Sequence, residues 1–150
     1  MSDEPLRPDP DRLLQHTAAP HRGKLKVFFG ACAGVGKTWA MLAEAQRLRA
    51  QGLDILIGVA ETHGRKETAA MLQGLSTLPP RRLAHRGRYV YEFDLDAALA
   101  RRPALILMDE LAHSNAPGSR HPKRWQDIEE LLEAGIDVFT TVNVQHLESL

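Results

Sequence analysis

Cysteine, net charge and long apolar runs are all scarce in this 150-residue chain, and each scarcity sets aside a class of protein. The one cysteine, Cys32, cannot close an internal disulfide, so the chain is no disulfide-stapled secreted domain and fits a reducing cytosol. Lys plus Arg (19) equals Asp plus Glu (19), which argues against a dedicated nucleic-acid or polybasic membrane module. No apolar run approaches the ~20 residues needed to cross a bilayer, so no membrane span is expected in this segment. Met1 to Pro10 lacks the basic-then-apolar order of a signal peptide. There is also no internal repeat and no low-complexity tract.

What is present reads as one compact domain. Hydrophobic residues are 43% and charged residues 25%, near the globular average, and this length buries roughly 70% of the unfolded surface. Residues 1–22 hold Pro5, Pro8, Pro10 and Pro20 with little periodicity and read as a mobile arm, in which Asp9-Pro10 can cap a short helix. Residues 23–150 read as the domain proper. The chain stops at Leu150 inside what reads as the first turn of a helix (145–150), so it is expected to be an incomplete domain of a longer protein.

From Lys24 onward, strand and helix patterns alternate. Apolar runs at 25–29, 55–60, 105–108 and 138–144 read as strands, the second and third apolar throughout as in a strand buried on both faces. Helical periodicity covers 38–51, 66–75, a short stretch from the Asp94 cap to Arg101, and 125–134. A strand pair is expected over 82–93, turning near Arg86-Gly87, and 109–123 reads as a loop. The alternation predicts an α/β fold, three-layered and P-loop NTPase-like, with a mainly parallel sheet covered by helices on both faces.

The chemistry concentrates at the ends of the strands. Gly30 closes the first one, and Ala31-Cys32-Ala33-Gly34-Val35-Gly36-Lys37-Thr38 then fits the phosphate-loop pattern, with Ala31 in place of the first glycine. The glycines bring backbone N–H groups close to phosphate oxygens, and the helix N-terminus adds partial positive charge. Lys37 supplies a full charge between the β- and γ-phosphates, and the Thr38 hydroxyl is placed to ligate Mg²⁺. ATP and Mg²⁺ are therefore the expected ligands.

An acid at the end of an apolar strand should complete such a site. Asp109 follows Leu105–Met108 and is the expected Mg²⁺ partner, and Glu110 beside it is the candidate catalytic residue that polarises an attacking water. The other strand ends, Glu61 to Arg65 and Thr140, Thr141, Asn143 and Gln145, are polar on the same side. That places Glu61 and Asn143 among the candidate nucleotide-binding residues. The last strand is expected between the first and the third, with Thr141 or Asn143 facing the γ-phosphate. In the loop 112–124, either Arg120 or Arg124 reaches transferred phosphate as an arginine finger, or the loop is flexible with solvated charges. His63, His113, His121 and His146 lack metal-ligand spacing. The cluster Arg81, Arg82, His85, Arg86 and Arg88 reads as a solvated face, with partner docking as the alternative.

Four runs carry a resemblance. Residues 23–38, 61–65, 108–124 and 140–150, together with Arg7-Pro8-Asp9-Pro10-Asp11, resemble the N-terminal domain of the KdpD family, in its enterobacterial form. These are membrane sensor histidine kinases that control bacterial potassium uptake. The resemblance implies a cytoplasmic ATP-binding regulatory segment of an inner-membrane protein. A universal-stress-protein-like domain, transmembrane helices and the kinase core would follow it. It places the phospho-accepting histidine and the cyclic di-AMP site elsewhere, so none of the seven histidines here is the phosphorylated one. Its implied partners are the other domains of the same kinase, a response regulator and, in the full-length protein, a second copy. The alternative reading is a P-loop ATPase or protein kinase acting on a partner protein.

Overall fold

The computed structural model describes residues 21–30 and 36–143. Residues 1–20 of the arm with its short helix, the loop residues Ala31 to Val35, and the helix expected over 145–150 lie outside the described residues. The elements run β1 (Leu25–Gly30), α1 (Lys37–Ala50), β2 (Ile55–Val59), α2 (Lys66–Ala70), β3 (Ser76–Thr77) and β4 (Arg81–His85). They continue with β5 (Arg88–Glu92), α3 (Leu95–Arg101), β6 (Leu105–Met108), α4 (Arg124–Glu133) and β7 (Asp137–Asn143).

Five strands form one parallel sheet in the order β1-β7-β6-β2-β3. The last strand therefore lies between the first and the third long strands, as its polar end predicted. Because side chains alternate along a strand, the apolar runs feed two cores. Ile55, Ile57, Leu105, Leu107 and Phe139 pack with Met41, Leu42 and Ala45 of α1. Leu56, Ile106, Met108 and Val138 pack with Leu95 and Ala98 of α3 and Ile128, Leu131 and Leu132 of α4. Helices thus cover both faces of the sheet, and its continuous hydrophobic strands need no polar side.

Two boundaries differ from the sequence expectation. The helix expected over 66–75 ends at Ala70, and Met71, Leu72, Gln73 and Leu75 continue in tight turns with bonds to the residue three before. The apolar spacing persists through those turns, so Leu75 stays buried although the helix has stopped. The Gln46 side chain of α1 fastens the turn, its amide donating to the Met71 and Gln73 carbonyls at 2.7 and 2.8 Å. The chain then reverses at Gly74, whose φ is 85°, to lay β3 along β2. This two-residue exposed strand carries no pattern in the sequence.

The strand pair is a separate antiparallel hairpin, β4 with β5, turning at Arg86 and Gly87 with φ of 51° and 76°. Asp94 caps α3 as expected, accepting from the Ala97 N–H at 3.1 Å. All of this brings the carboxyl ends of β1, β2, β6 and β7 to one edge of the sheet.

Candidate nucleotide-phosphate site

At the start of α1, Gly36 takes φ 69°, a conformation that side chains resist, and its carbonyl accepts the Ala40 N–H at 2.7 Å. Among the described residues no side chain caps this helix N-terminus and no acid lies in its first turn, so its N–H groups have no local protein anion there. Lys37 follows, only 6% exposed, with no carboxylate partner among the described residues. A buried ammonium without an anion is costly, which suits a site that receives one. Gly30 serves this arrangement by its smallness. A Cβ there would lie 3.0 Å from the Lys37 Cδ.

Thr38 and Asp109, 71 residues apart, meet in the interior. The Thr38 hydroxyl donates to the Asp109 carboxylate oxygens at 3.1 and 3.3 Å, and the two residues are 1% and 0% exposed. The carboxylate also accepts the Glu61 N–H at 2.8 Å and the Thr141 hydroxyl. The start of α1 and the ends of β2 and β7 thereby converge on the acid that ends β6. Hydroxyl and carboxylate oxygens of this kind are the donors a hard divalent cation such as Mg²⁺ takes.

Glu110 comes next with φ 65°, left-handed for a residue that has a side chain. Its N–H donates to the Thr141 hydroxyl oxygen at 2.9 Å, and its half-exposed carboxylate stands 3.9 Å from His63 Nε2. Thr141 therefore brackets the two acids instead of facing outward. Asn143 is different. It ends β7 in register with Gly30, is 6% exposed, and its Oδ1 has no partner among the described residues. Of the two residues expected to face phosphate, Asn143 is the one with an unused polar atom.

The profile of the family described as "KdpD: Osmosensitive K+ channel His kinase sensor domain" matches residues 21–150. The chain belongs to the KdpD family. It is 88% identical over its full length to "Sensor protein KdpD" of Escherichia coli, of which it covers 17%. It is 51% identical over 138 residues to the protein of the same name from Mycobacterium tuberculosis, covering 92% of this chain and 16% of that relative. The "Putative sensor protein KdpD" of Synechocystis is 54% identical over 139 residues, 92% of this chain and 38% of that relative. The chain thus spans under a fifth of the first two relatives and well under half of the third.

In this KdpD-family chain the loop 112–124 is tied to neighbouring carboxylates, and both candidate arginine fingers are engaged within the chain. His113 Nε2 lies 3.1 Å from the Glu92 carboxylate, which also accepts the Ala116 N–H at 2.7 Å. Asn115 donates to Asp127 at 2.9 Å, and His121 contacts Glu130 at 2.8 Å. Arg120, one of the two candidate fingers, is paired with Asp96 and Glu130. The other, Arg124, is 4% exposed and points inward, Nη1 donating to the Asp109 carbonyl at 2.6 Å. Burial lowers the Arg124 pKa against the opposing pull of Glu92, Glu110, Asp109 and Asp127. Burial likewise raises the pKa of Asp127, opposed by its bond from Asn115. Carboxylates fix this loop at both ends, a role that isolated Asp and Glu in a sequence do not announce.

Beside the acids, a cleft of about 360 Å³ opens between the end of β2 and the hairpin, with Glu61, Tyr91, Phe93, His113 and Arg124 in its walls. No helix among the described residues is long and apolar enough to cross a membrane.

Proposed function

We propose that this chain is the ATP-binding regulatory domain of a membrane sensor histidine kinase. In this reading Mg²⁺-ATP sits at the edge formed by residues 30–38, Asp109 and Asn143, in a P-loop NTPase-like fold. The buried Thr38–Asp109 contact carries the reading, because it joins the threonine of a phosphate-loop pattern to the acid at the end of a neighbouring apolar strand. Lys37 would neutralise the phosphates, and Thr38 and Asp109 would hold the Mg²⁺, which supplies further charge neutralisation there. Glu61 contributes its backbone to Asp109. The nucleotide state would bias the output of the kinase core toward its response regulator, in a cytoplasmic position and within a homodimer of the full-length protein.

A second reading, a P-loop ATPase or protein kinase acting on a partner, is favoured by one observation. Glu110 presents a half-exposed carboxylate directly after the metal-site acid.

Isothermal titration with ATP, with and without Mg²⁺, tests the assignment. Lys37→Ala should weaken binding about tenfold to hundredfold, the worth of one charge-assisted phosphate contact. Asp109→Asn should abolish the difference between the two titrations. Unchanged affinity in Lys37→Ala would refute the site.

A further inference from the structure

The dipeptide Asp109-Glu110 is fastened from two directions. From β7, the Thr141 hydroxyl bonds the Asp109 carboxylate and accepts the Glu110 N–H, and the Thr141 carbonyl accepts the Leu111 N–H at 2.9 Å. From α4, the Arg124 guanidinium reaches the Asp109 carbonyl at 2.6 Å and the Glu110 carbonyl at 3.4 Å. The choice of partner is informative. An arginine buried to balance charge takes a carboxylate, and Glu92 and Asp127 are near enough to affect it. This one forms no ion pair among the described residues and bonds the main chain of a left-handed turn.

Its own backbone is anchored independently, through the Arg124 N–H to the His113 carbonyl at 3.1 Å. The loop that ends at Arg124 is tied in turn to Glu92, Asp127 and Glu130. The guanidinium is therefore presented from a fixed base. With the backbone of residue 110 held this way, the Glu110 carboxylate remains at the open side, toward His63.

We propose that Arg124 is a positioning residue: by holding the Asp109 and Glu110 carbonyls, it aims the Glu110 carboxylate at water beside the terminal phosphate. It thereby sets nucleotide turnover without setting nucleotide affinity. The inference rests on the nucleotide reading above and assigns the second reading's chemistry to a specific support. The reaction is hydrolysis of the terminal phosphoanhydride: water adds at phosphorus, the bridging oxygen leaves with ADP, and Glu110 receives the proton of the water. Arg124 touches none of these atoms.

The test measures ATP affinity by titration and inorganic phosphate release at steady state on the 150-residue chain. The variants are Arg124→Gln, Arg124→Lys, Glu110→Gln and the double variant Arg124→Gln/Glu110→Gln. Arg124→Gln should lower kcat at least about tenfold while ATP affinity stays within about twofold. Arg124→Lys, which keeps a donor for the Asp109 carbonyl, should recover part of the loss. The double variant should be no slower than Glu110→Gln alone, because one acts through the other. Affinity and kcat falling together, or additive losses in the double variant, would show a merely structural prop and overturn the proposal. A wild type that binds ATP but releases no phosphate would overturn it and leave the nucleotide reading standing. One that binds no ATP would overturn both. Should circular dichroism show Arg124→Gln unfolded, Arg124→Lys decides alone: reduced kcat at unchanged affinity supports the role, and unchanged kcat ends it.

Discussion

Glu110 and His63 face each other across 3.9 Å, and both take positive φ, at 65° and 53°. The other non-glycine residues in that region among the described residues, Arg86 and Arg102, lie at a hairpin turn and a helix end. There the local geometry demands it. At Glu110 no turn type does, and holding a side chain there costs about 1–3 kcal/mol. Glu110→Gly should therefore raise stability by up to about 2 kcal/mol, the relieved strain less the added entropy of a glycine. A urea unfolding midpoint measures it, and a fall in stability would show that the Glu110 side chain holds the turn together. At this scale the sequence pattern pairs Thr38 with Asp109, and the fold brings those two side chains into contact. Thr141 was placed correctly on the strand next to the acids, but its bond to Asp109 depends on register. Arg124 was read outward, because a basic residue closing a polar loop looks solvated until the fold shows which way it turns.

The elements were legible where the hydrophobic period was clear, as at α1 and the buried strands, or where a cap marked the start, as at α3. They were illegible where a short piece is held by its neighbours. β3 has two exposed residues and exists because β2 offers an edge and Gln46 holds the preceding turn. α2 stops early for the same reason, since its apolar spacing is satisfied equally well by turns. β2 also carries an internal constraint that its apolar run conceals. A Cβ at Gly58 would lie 2.7 Å from the Met108 Sδ and 2.8 Å from the Phe93 ring, where the hairpin's end closes onto β6. Gly58→Ala should therefore destabilise the fold by about 1–3 kcal/mol through overpacking. Thermal unfolding reads it directly. A neutral result would mean that the Phe93 ring gives way easily and that the cleft beside Glu61 is softer than its walls suggest.

For the whole molecule, the alternation of strands and helices pointed to a parallel sheet with the last strand between the first and the third, and β3, the hairpin and its loop stand outside that logic. A ligand bound where four strands end should stabilise all of them together. At a hundredfold excess over its Kd, Mg²⁺-ATP should raise the unfolding free energy by about 2.7 kcal/mol, and at the same nucleotide concentration the shift should fall to about 0.4–1.4 kcal/mol in Lys37→Ala. Chemical denaturation with and without nucleotide measures this, and an equal shift in the variant would place binding elsewhere. The pairing of β1 with β7 has a consequence for how the protein is made. Leu25 finds its register partner only at Val138, 113 residues later (138 − 25). At about 5–20 residues per second, a ribosome takes on the order of 6–20 s to deliver that partner. Throughout that interval β1 is a bare apolar strand on a nascent chain, carrying Leu25 and Phe29, which stay 44% and 58% exposed even in the finished fold. The proposed phosphate-binding half of the site is thus the first to be synthesised and among the last to be built, and chaperones that hold exposed strands have their longest opportunity there.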